Sequence, residues 1–239
     1  MKVKLYFLVF ALLFTSFKAL PQQKKELLVI AGGHRFDTLT FFSIFNKIEG
    51  FNVTISMQPQ ANNLIAKGEA VNYDVILFYD SWKTIDEKEK RAYFDLLEKG
   101  VGMVFMHHAL VSYQEWPEFV QIIGGKYKKP RFKGDTTNLS DFKHDIQMRI
   151  ETNPNHEITA NINDFDIHDE GYMNIDVLPT VTPVLTTDHP YSDMFVGWAH
   201  QVKNSRVVYL MPGHDRHGLT NPIYKEIIFN AINWVVQSD

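Results

Sequence analysis

Continuous apolar runs alternate with amphipathic stretches along most of this chain. Leu27-Leu28-Val29-Ile30-Ala31 is an unbroken apolar run closed by Gly32-Gly33, the form of a strand buried on both faces. From Thr38 the spacing predicts a helix with Phe42, Phe45 and Ile48 toward the sheet, ended by Gly50. Asn52 to Met57 alternates like a strand, and Tyr73 to Tyr79 is a second buried run. Thr84, with Glu87 three residues on, predicts a capping box at the start of a helix that runs to Lys99 and stops at Gly100. Val101 to Met106 predicts a further strand, and Glu115 to Ile123 a helix ended by Gly124-Gly125.

Residues 126–180 break this rhythm. They are polar, carry Pro130, Gly134, Pro154 and Pro179, and predict a long irregular excursion over one edge of the sheet. A structureless stretch of that length inside a domain is usually functional. Regularity returns at Thr180–Thr186, Met194–Trp198 and Val207–Met211, and Asn221-Pro222 opens a last helix through Trp234. Strands alternating with helices at this spacing mean βαβ units. The expected fold is therefore a single α/β domain over residues 20–239, three-layered and doubly wound, with a mostly parallel central sheet.

The first 19 residues stand apart. Lys2 and Lys4 precede an apolar run from Leu5 to Phe17, and Ala19 is followed by Pro21-Gln22-Gln23-Lys24-Lys25. A short basic segment, an apolar segment too short for a bilayer and a small residue predict a signal peptide, and hence export to the periplasm or beyond. No membrane anchor is expected after cleavage. The 239-residue chain has no cysteine, so an exported form relies on its core rather than on disulfides. Loss of Lys2, Lys4 and Lys18 with the leader leaves 21 basic residues against 28 acidic. That balance argues against a nucleic-acid partner, which requires a basic face.

Three histidines follow predicted strands: His34 after Gly32-Gly33, His107-His108 after Met106, and His214-Asp215 after Pro212-Gly213. Ligands of open parallel sheets bind at the carboxyl ends of the strands, so the three stretches predict one polar site. His107-His108 occupies the strand-to-helix turn where α/β hydrolases place a serine or cysteine nucleophile. With no cysteine in the chain, cysteine-dependent hydrolysis and amidotransfer are excluded. Adjacent residues diverge, so one of the pair is expected in the site. His168-Asp169-Glu170-Gly171-Tyr172 adds carboxylates in the excursion, whereas His144 and His156 read as surface positions. Imidazole with carboxylate suits a divalent metal such as zinc, iron or nickel. No G-x-G-x-x-G or P-loop pattern occurs, and no nucleotide cofactor is expected. Trp116, Tyr172 and Trp198 near the polar turns could stack on sugar rings, with Asp80 and Asp215 bonding hydroxyls.

Taken together, Gly33-His34, Tyr73-Asp74, Gly102 to His107, Trp116-Pro117, Gly124-Gly125, Asp169-Glu170-Gly171-Tyr172, Val196-Gly197-Trp198, Arg206 to Tyr209, Gly213-His214-Asp215 and Asn233-Trp234 resemble the trehalose-utilisation (ThuA-like) family. The resemblance covers about Leu27 to Val235. It implies the class I glutamine amidotransferase-like (flavodoxin-like) fold without glutaminase machinery. It also selects His107 over His108 and raises Glu170, His34, Trp198 and His214 as site residues.

The resemblance further implies carbohydrate metabolism, often of disaccharides or 3-keto sugars. The leading expectation is an exported enzyme acting on a glycoside or 3-keto sugar, with His107, Glu170, His34 and His214 supplying acid–base chemistry, assisted by a divalent metal, zinc first, with His34, His107 and His214 as expected ligands. The alternatives are a non-catalytic carbohydrate-binding module on the same fold and a two-carboxylate glycosidase pairing Glu170 with Asp215 or Asp80. A homo-oligomer is compatible with each.

Overall fold

The computed structural model describes residues 23–236 apart from positions 47, 131, 132 and 135; the expected signal peptide lies outside the described residues. The chain runs β1 (Lys25–Gly32), α1 (Thr38–Ser43), β2 (Phe51–Met57), α2 (Gln60–Ala66), β3 (Val75–Asp80), α3 (Glu87–Lys99), β4 (Gly102–Met106), α4 (Phe119–Ile123), β5 (Gly125–Lys126), β6 (Asp141–Thr152), β7 (Phe165–Met173), β8 (Asp176–Val177), β9 (Thr182–Thr186), β10 (Phe195–Val202), β11 (Ser205–Leu210), α5 (Arg216–Thr220) and α6 (Pro222–Val235). The main sheet has the order β2-β1-β3-β4-β11-β10-β9-β6-β7. From β2 to β11 the neighbours are parallel; from β11 to β7 they are antiparallel. β5 and β8 form a separate antiparallel ribbon.

The apolar runs become the central strands because both faces are covered. β3 and β4 are buried at every position, which strands flanked by helices on both sides require. Consecutive side chains on a strand point to opposite faces. On β11, Ser205 reaches the carbonyls of Leu96 and Leu97 in α3, while Arg206 bonds the Trp234 carbonyl in α6. These two helices therefore cover opposite faces, and the three-layer α/β fold expected from the sequence is present.

Several boundaries differ from expectation. The helix after β1 ends at Ser43, with Phe41 and Phe45 buried and Phe42 only partly so. The capping box of α3 sits two residues later than Thr84 and Glu87. Asp86 accepts from the Lys88 and Glu89 amides, both at 2.8 Å, and Glu89 returns a bond to the Asp86 amide at 2.7 Å. A carboxylate that serves two helix-start amides outcompetes a threonine hydroxyl. Helix α4 is restricted to Phe119–Ile123.

The largest correction concerns residues 126–180, which are not an irregular excursion. They contain the long β6–β7 hairpin, which widens the sheet by two antiparallel strands. In β6 only Ile146, Met148 and Ile150 are buried. The period-2 signal is thus confined to half of the strand, and its first five residues are polar or exposed.

Candidate active site

Parallel β1, β4 and β11 deliver the residues that follow them to one edge of the sheet. β7 is the last strand in the order, yet its residues touch those following β4 and β11. The antiparallel half therefore curls back over the carboxyl ends of the parallel half. The site lies between them.

His107 is the centre. It begins the turn after β4 with a positive φ of 41°, a backbone conformation that non-glycine residues adopt at a cost and that recurs at functional sites. The imidazole is fully buried. Its Nδ1 lies 2.5 Å from the Met211 carbonyl oxygen. A carbonyl only accepts, so Nδ1 carries a proton and Nε2 is the outward, working nitrogen. Around Nε2 stand the Tyr172 hydroxyl at 3.0 Å, His214 Nδ1 at 3.1 Å and Glu170 Oε1 at 3.2 Å.

Glu170, 4% exposed, is bound at both oxygens. Oε1 faces His107 and, at 3.6 Å, His214 Nδ1; Oε2 meets His144 Nδ1 at 2.5 Å. Burial pushes its carboxyl up. The hydrogen bond that His107 gives it when protonated, and the positive potential of His107, His214 and His144 in their charged forms, outweigh that and hold it below the usual range. His144, read from sequence as a surface residue, is half-exposed but belongs to this group. The β6–β7 register shifts between Lys143 and Ile146, and Asp145 has φ 57°. This bulge swings His144 onto Glu170.

The loop 212–214 that carries His214 is held from two sides. Asp169 accepts from the amides of Gly213 (2.7 Å), His214 (3.0 Å) and Glu170 (2.7 Å). Tyr79 donates to the Gly213 carbonyl at 2.7 Å and Tyr224 to the Pro212 carbonyl at 2.5 Å. Asp169 and Glu170 are neighbours on one strand and divide the work: one fixes backbone, the other faces the imidazoles.

His34 and His108 form a second pair, stacked with ring centroids 4.0 Å apart. His34 Nδ1 bonds the Gly32 carbonyl at 3.2 Å, while His34 Nε2 and His108 Nδ1 are buried without a partner in the protein. Burial, reinforced by the charges of His107 and His214, lowers His34 to about 4 against the pull of the Gly32 carbonyl. Burial and the neighbouring histidines push His108 still further down. Both rings are neutral at pH 7.

The remaining expected contacts separate. Tyr172 reaches His107 through its hydroxyl, and Asp215 caps α5 and rims the cavity. Asp80 is 1% exposed and accepts from Gln58 Nε2 at 2.7 Å inside the core, so it offers no surface to a sugar. Trp198 is fully buried. Its indole donates to the Ile123 carbonyl at 2.8 Å beneath Gly124 and Gly125, where an added Cβ would stand 2.6 and 2.8 Å from the ring. Trp116 is 2% exposed and packs among Tyr93, Tyr113 and Phe119. Neither indole can stack on a sugar. An exposed aromatic that sequence reasoning missed flanks the site instead: Phe142 is 47% exposed, with its ring centroid 4.9 Å from that of His144.

A cavity of about 280 Å³ opens over Glu170 and is lined by His144, Asp145, His168, Asp169, His214 and Asp215. A wider cleft of about 850 Å³ is lined by Gln114, Lys126, Lys128, Lys129 and Asp176, among others, and holds none of the histidines. Ligand atoms that lie mutually within 4.8 Å among the described residues include those of His107, His108 and His214 and those of His144, Glu170 and His214. His34 belongs to neither. Its Nδ1 bonds the Gly32 carbonyl and its ring stacks on His108, so of the expected ligands His107 and His214 share a set while His34 pairs with His108.

Solved structures share this architecture. A ThuA-like protein from Parabacteroides merdae matches with a TM-score of 0.76 at 13% identity, over 90% of this chain and 91% of that one. A ThuA-like protein from Bacteroides uniformis matches with a TM-score of 0.68 at 20% identity, over 92% and 95%. A β-galactosidase from Bacillus circulans matches with a TM-score of 0.60 at 9% identity, over 88% of this chain but 31% of that one. At these identities the likeness is one of fold. No curated protein matches the chain in sequence. The model of the trehalose-utilisation family, ThuA, matches residues 26–235, nearly the whole described domain, and the chain belongs to that family.

Proposed function

We propose that this protein is an enzyme that cleaves a glycoside at the 3-keto stage by histidine–carboxylate acid–base chemistry. The observation that carries the reading is Glu170, bound through one oxygen to His144 and through the other to His107 and His214. The carbonyl of a 3-keto sugar acidifies the hydrogen on C2. In the Glu170–His144 pair the carboxylate fixes Nδ1–H and leaves His144 Nε2 as the base that takes this proton. The C2–H electron pair becomes the C1–C2 double bond, the C1–O glycosidic bond breaks, and its electrons leave with the oxygen. His214, on the other side of Glu170, donates the proton that makes the leaving group an alcohol. The neutral rings of His34 and His108 offer their unpartnered nitrogens to sugar hydroxyls, since a buried polar atom without a partner is costly. The exposed ring of Phe142 gives the sugar a face to stack on.

The two tryptophans expected to form the platform of a purely sugar-binding module are inside the core, so that reading has less support than the imidazole–carboxylate group gives to acid–base chemistry. The basic and then apolar segment of residues 1–19 supports work outside the cytoplasm.

The test is exchange at C2. A 3-keto disaccharide incubated with the protein in D2O incorporates deuterium at C2 and is cleaved. Glu170→Gln and His144→Ala reduce both by about 10²–10⁴, the range of a general base. Exchange and cleavage at wild-type rates in both folded variants would overturn the mechanism.

A further inference from the structure

We propose that His107 Nε2, His214 Nδ1 and Glu170 Oε1 form a three-ligand site for a zinc-class divalent cation, with the fourth position open to the cavity. The three atoms stand 3.1, 3.2 and 3.6 Å apart. Ligands about 2.0–2.1 Å from a tetrahedral zinc ion are separated by about 3.3–3.4 Å, so a cation fits between them with shifts of a few tenths of an ångström.

Proton counting points the same way. His107 Nδ1 holds its hydrogen against the Met211 carbonyl, so the nitrogen left to bind a metal is Nε2, which faces a carboxylate oxygen and a second imidazole nitrogen. When His214 carries its proton on Nε2, three lone-pair atoms share one small space, and a cation satisfies all three at once.

The surroundings have the form of an outer ligand shell. Metal-bound histidines commonly donate their second nitrogen to a carbonyl, and ligating carboxylates are held by hydrogen bonds. Here Met211 takes the His107 Nδ1–H, and His144 holds the second oxygen of Glu170. His144 is thus a positioning residue toward the metal, and its other nitrogen stays free. Two histidines, a carboxylate and an open position are the donor set of a hydrolytic or Lewis-acid centre rather than of a closed structural one. Tyr172, whose hydroxyl is 3.0 Å from His107 Nε2, stands where it can bond a ligand in the open position.

The site rests on ligand geometry alone and not on the sugar chemistry, so it is tested without a sugar. The full chain, produced without a histidine tag, is dialysed against zinc sulfate and analysed for metal. Its affinity is measured by competition with a chromophoric chelator, and cobalt(II) is substituted to record visible absorption. One equivalent of zinc and the intense visible bands of four-coordinate cobalt are expected. His107→Ala and His214→Ala abolish both while retaining the wild-type circular dichroism. His144→Ala keeps the metal with affinity lowered by about 10–100-fold, as expected for an outer-shell partner. Should either ligand variant fail to fold, Glu170→Gln, which preserves shape, carries the test. No bound zinc, or zinc retained at full affinity in the folded ligand variants, would overturn the proposal and leave the C2 exchange reading to stand or fall separately.

Discussion

Asp169→Ala should cost this protein more than any change on its surface, because one carboxylate closes three backbone bonds at once. Asp169 is 2% exposed and accepts from the amides of Gly213, His214 and Glu170. Alanine leaves three N–H groups without their acceptor, at about 1–3 kcal/mol for each that stays dry. Removing the carboxylate also removes its own burial cost, which pushes its carboxyl up despite the three amides and His107. The adjoining cavity lets water reach part of the gap. The net loss is about 3–5 kcal/mol, toward the lower end of the three amide penalties taken together. Asp169→Asn keeps one carbonyl oxygen and loses about 1–3 kcal/mol.

The packing around it leaves little room for adjustment: a Cβ on Gly218 would stand 1.8 Å from Asp169 Oδ2. Urea unfolding followed by circular dichroism reads the effect as a shift of midpoint at constant slope. Asp166→Ala is the control, since its contact with Arg149 is exposed and 3.6 Å long and is worth at most about 1 kcal/mol. If Asp169→Ala fell within 1 kcal/mol of wild type, the view of Asp169 as the clamp of the 212–214 loop would be wrong.

What the chain reveals on its own is what local order can encode. Fully buried strands such as β3 and β4 are written as unbroken apolar runs, and the residues that follow parallel strands share one edge by topology. His34, His107 and His214 could therefore be brought together without coordinates. His144 could not. It reaches Glu170 only because the β6–β7 register slips beside it, and a polar, half-exposed strand carries too little alternation to announce a bulge. The tryptophans fail for a different reason. An indole suits a sugar face and a core equally well, and what decides for Trp198 is the slot that Gly124 and Gly125 leave for it. Asp80 is a similar case: lying at a strand end makes a carboxylate available, but here Gln58 reaches it first.

Two further perturbations separate surface from core. Phe142→Ala should raise KM about 3–10-fold with kcat nearly unchanged, the signature of a stacking contact worth about 1 kcal/mol in ground and transition state alike; an unchanged KM on a turned-over sugar would remove Phe142 from the binding surface. Asp80→Asn should stabilise the protein, and only above a definite pH. Burial raises the Asp80 carboxyl to about 6 from 3.8, against the bonds from Gln58 and its own backbone. The folded state therefore holds this proton across a window in which the unfolded chain has released it, and stability falls as pH rises from about 4 to 6. Above that window the ionised carboxylate costs up to about 3 kcal/mol. Asparagine keeps an oxygen for Gln58 Nε2 and brings no charge, though its amide nitrogen requires an acceptor, so a gain of about 1–3 kcal/mol is expected at pH 8. At pH 4 wild-type Asp80 is itself neutral in the folded state, and most of the difference should vanish. Urea titrations of both proteins at the two pH values measure it directly. A stability difference that is the same at pH 4 and pH 8 would mean that Asp80 does not carry a raised titration, and that the Gln58–Asn62–Tyr113 network stabilises its ionised form.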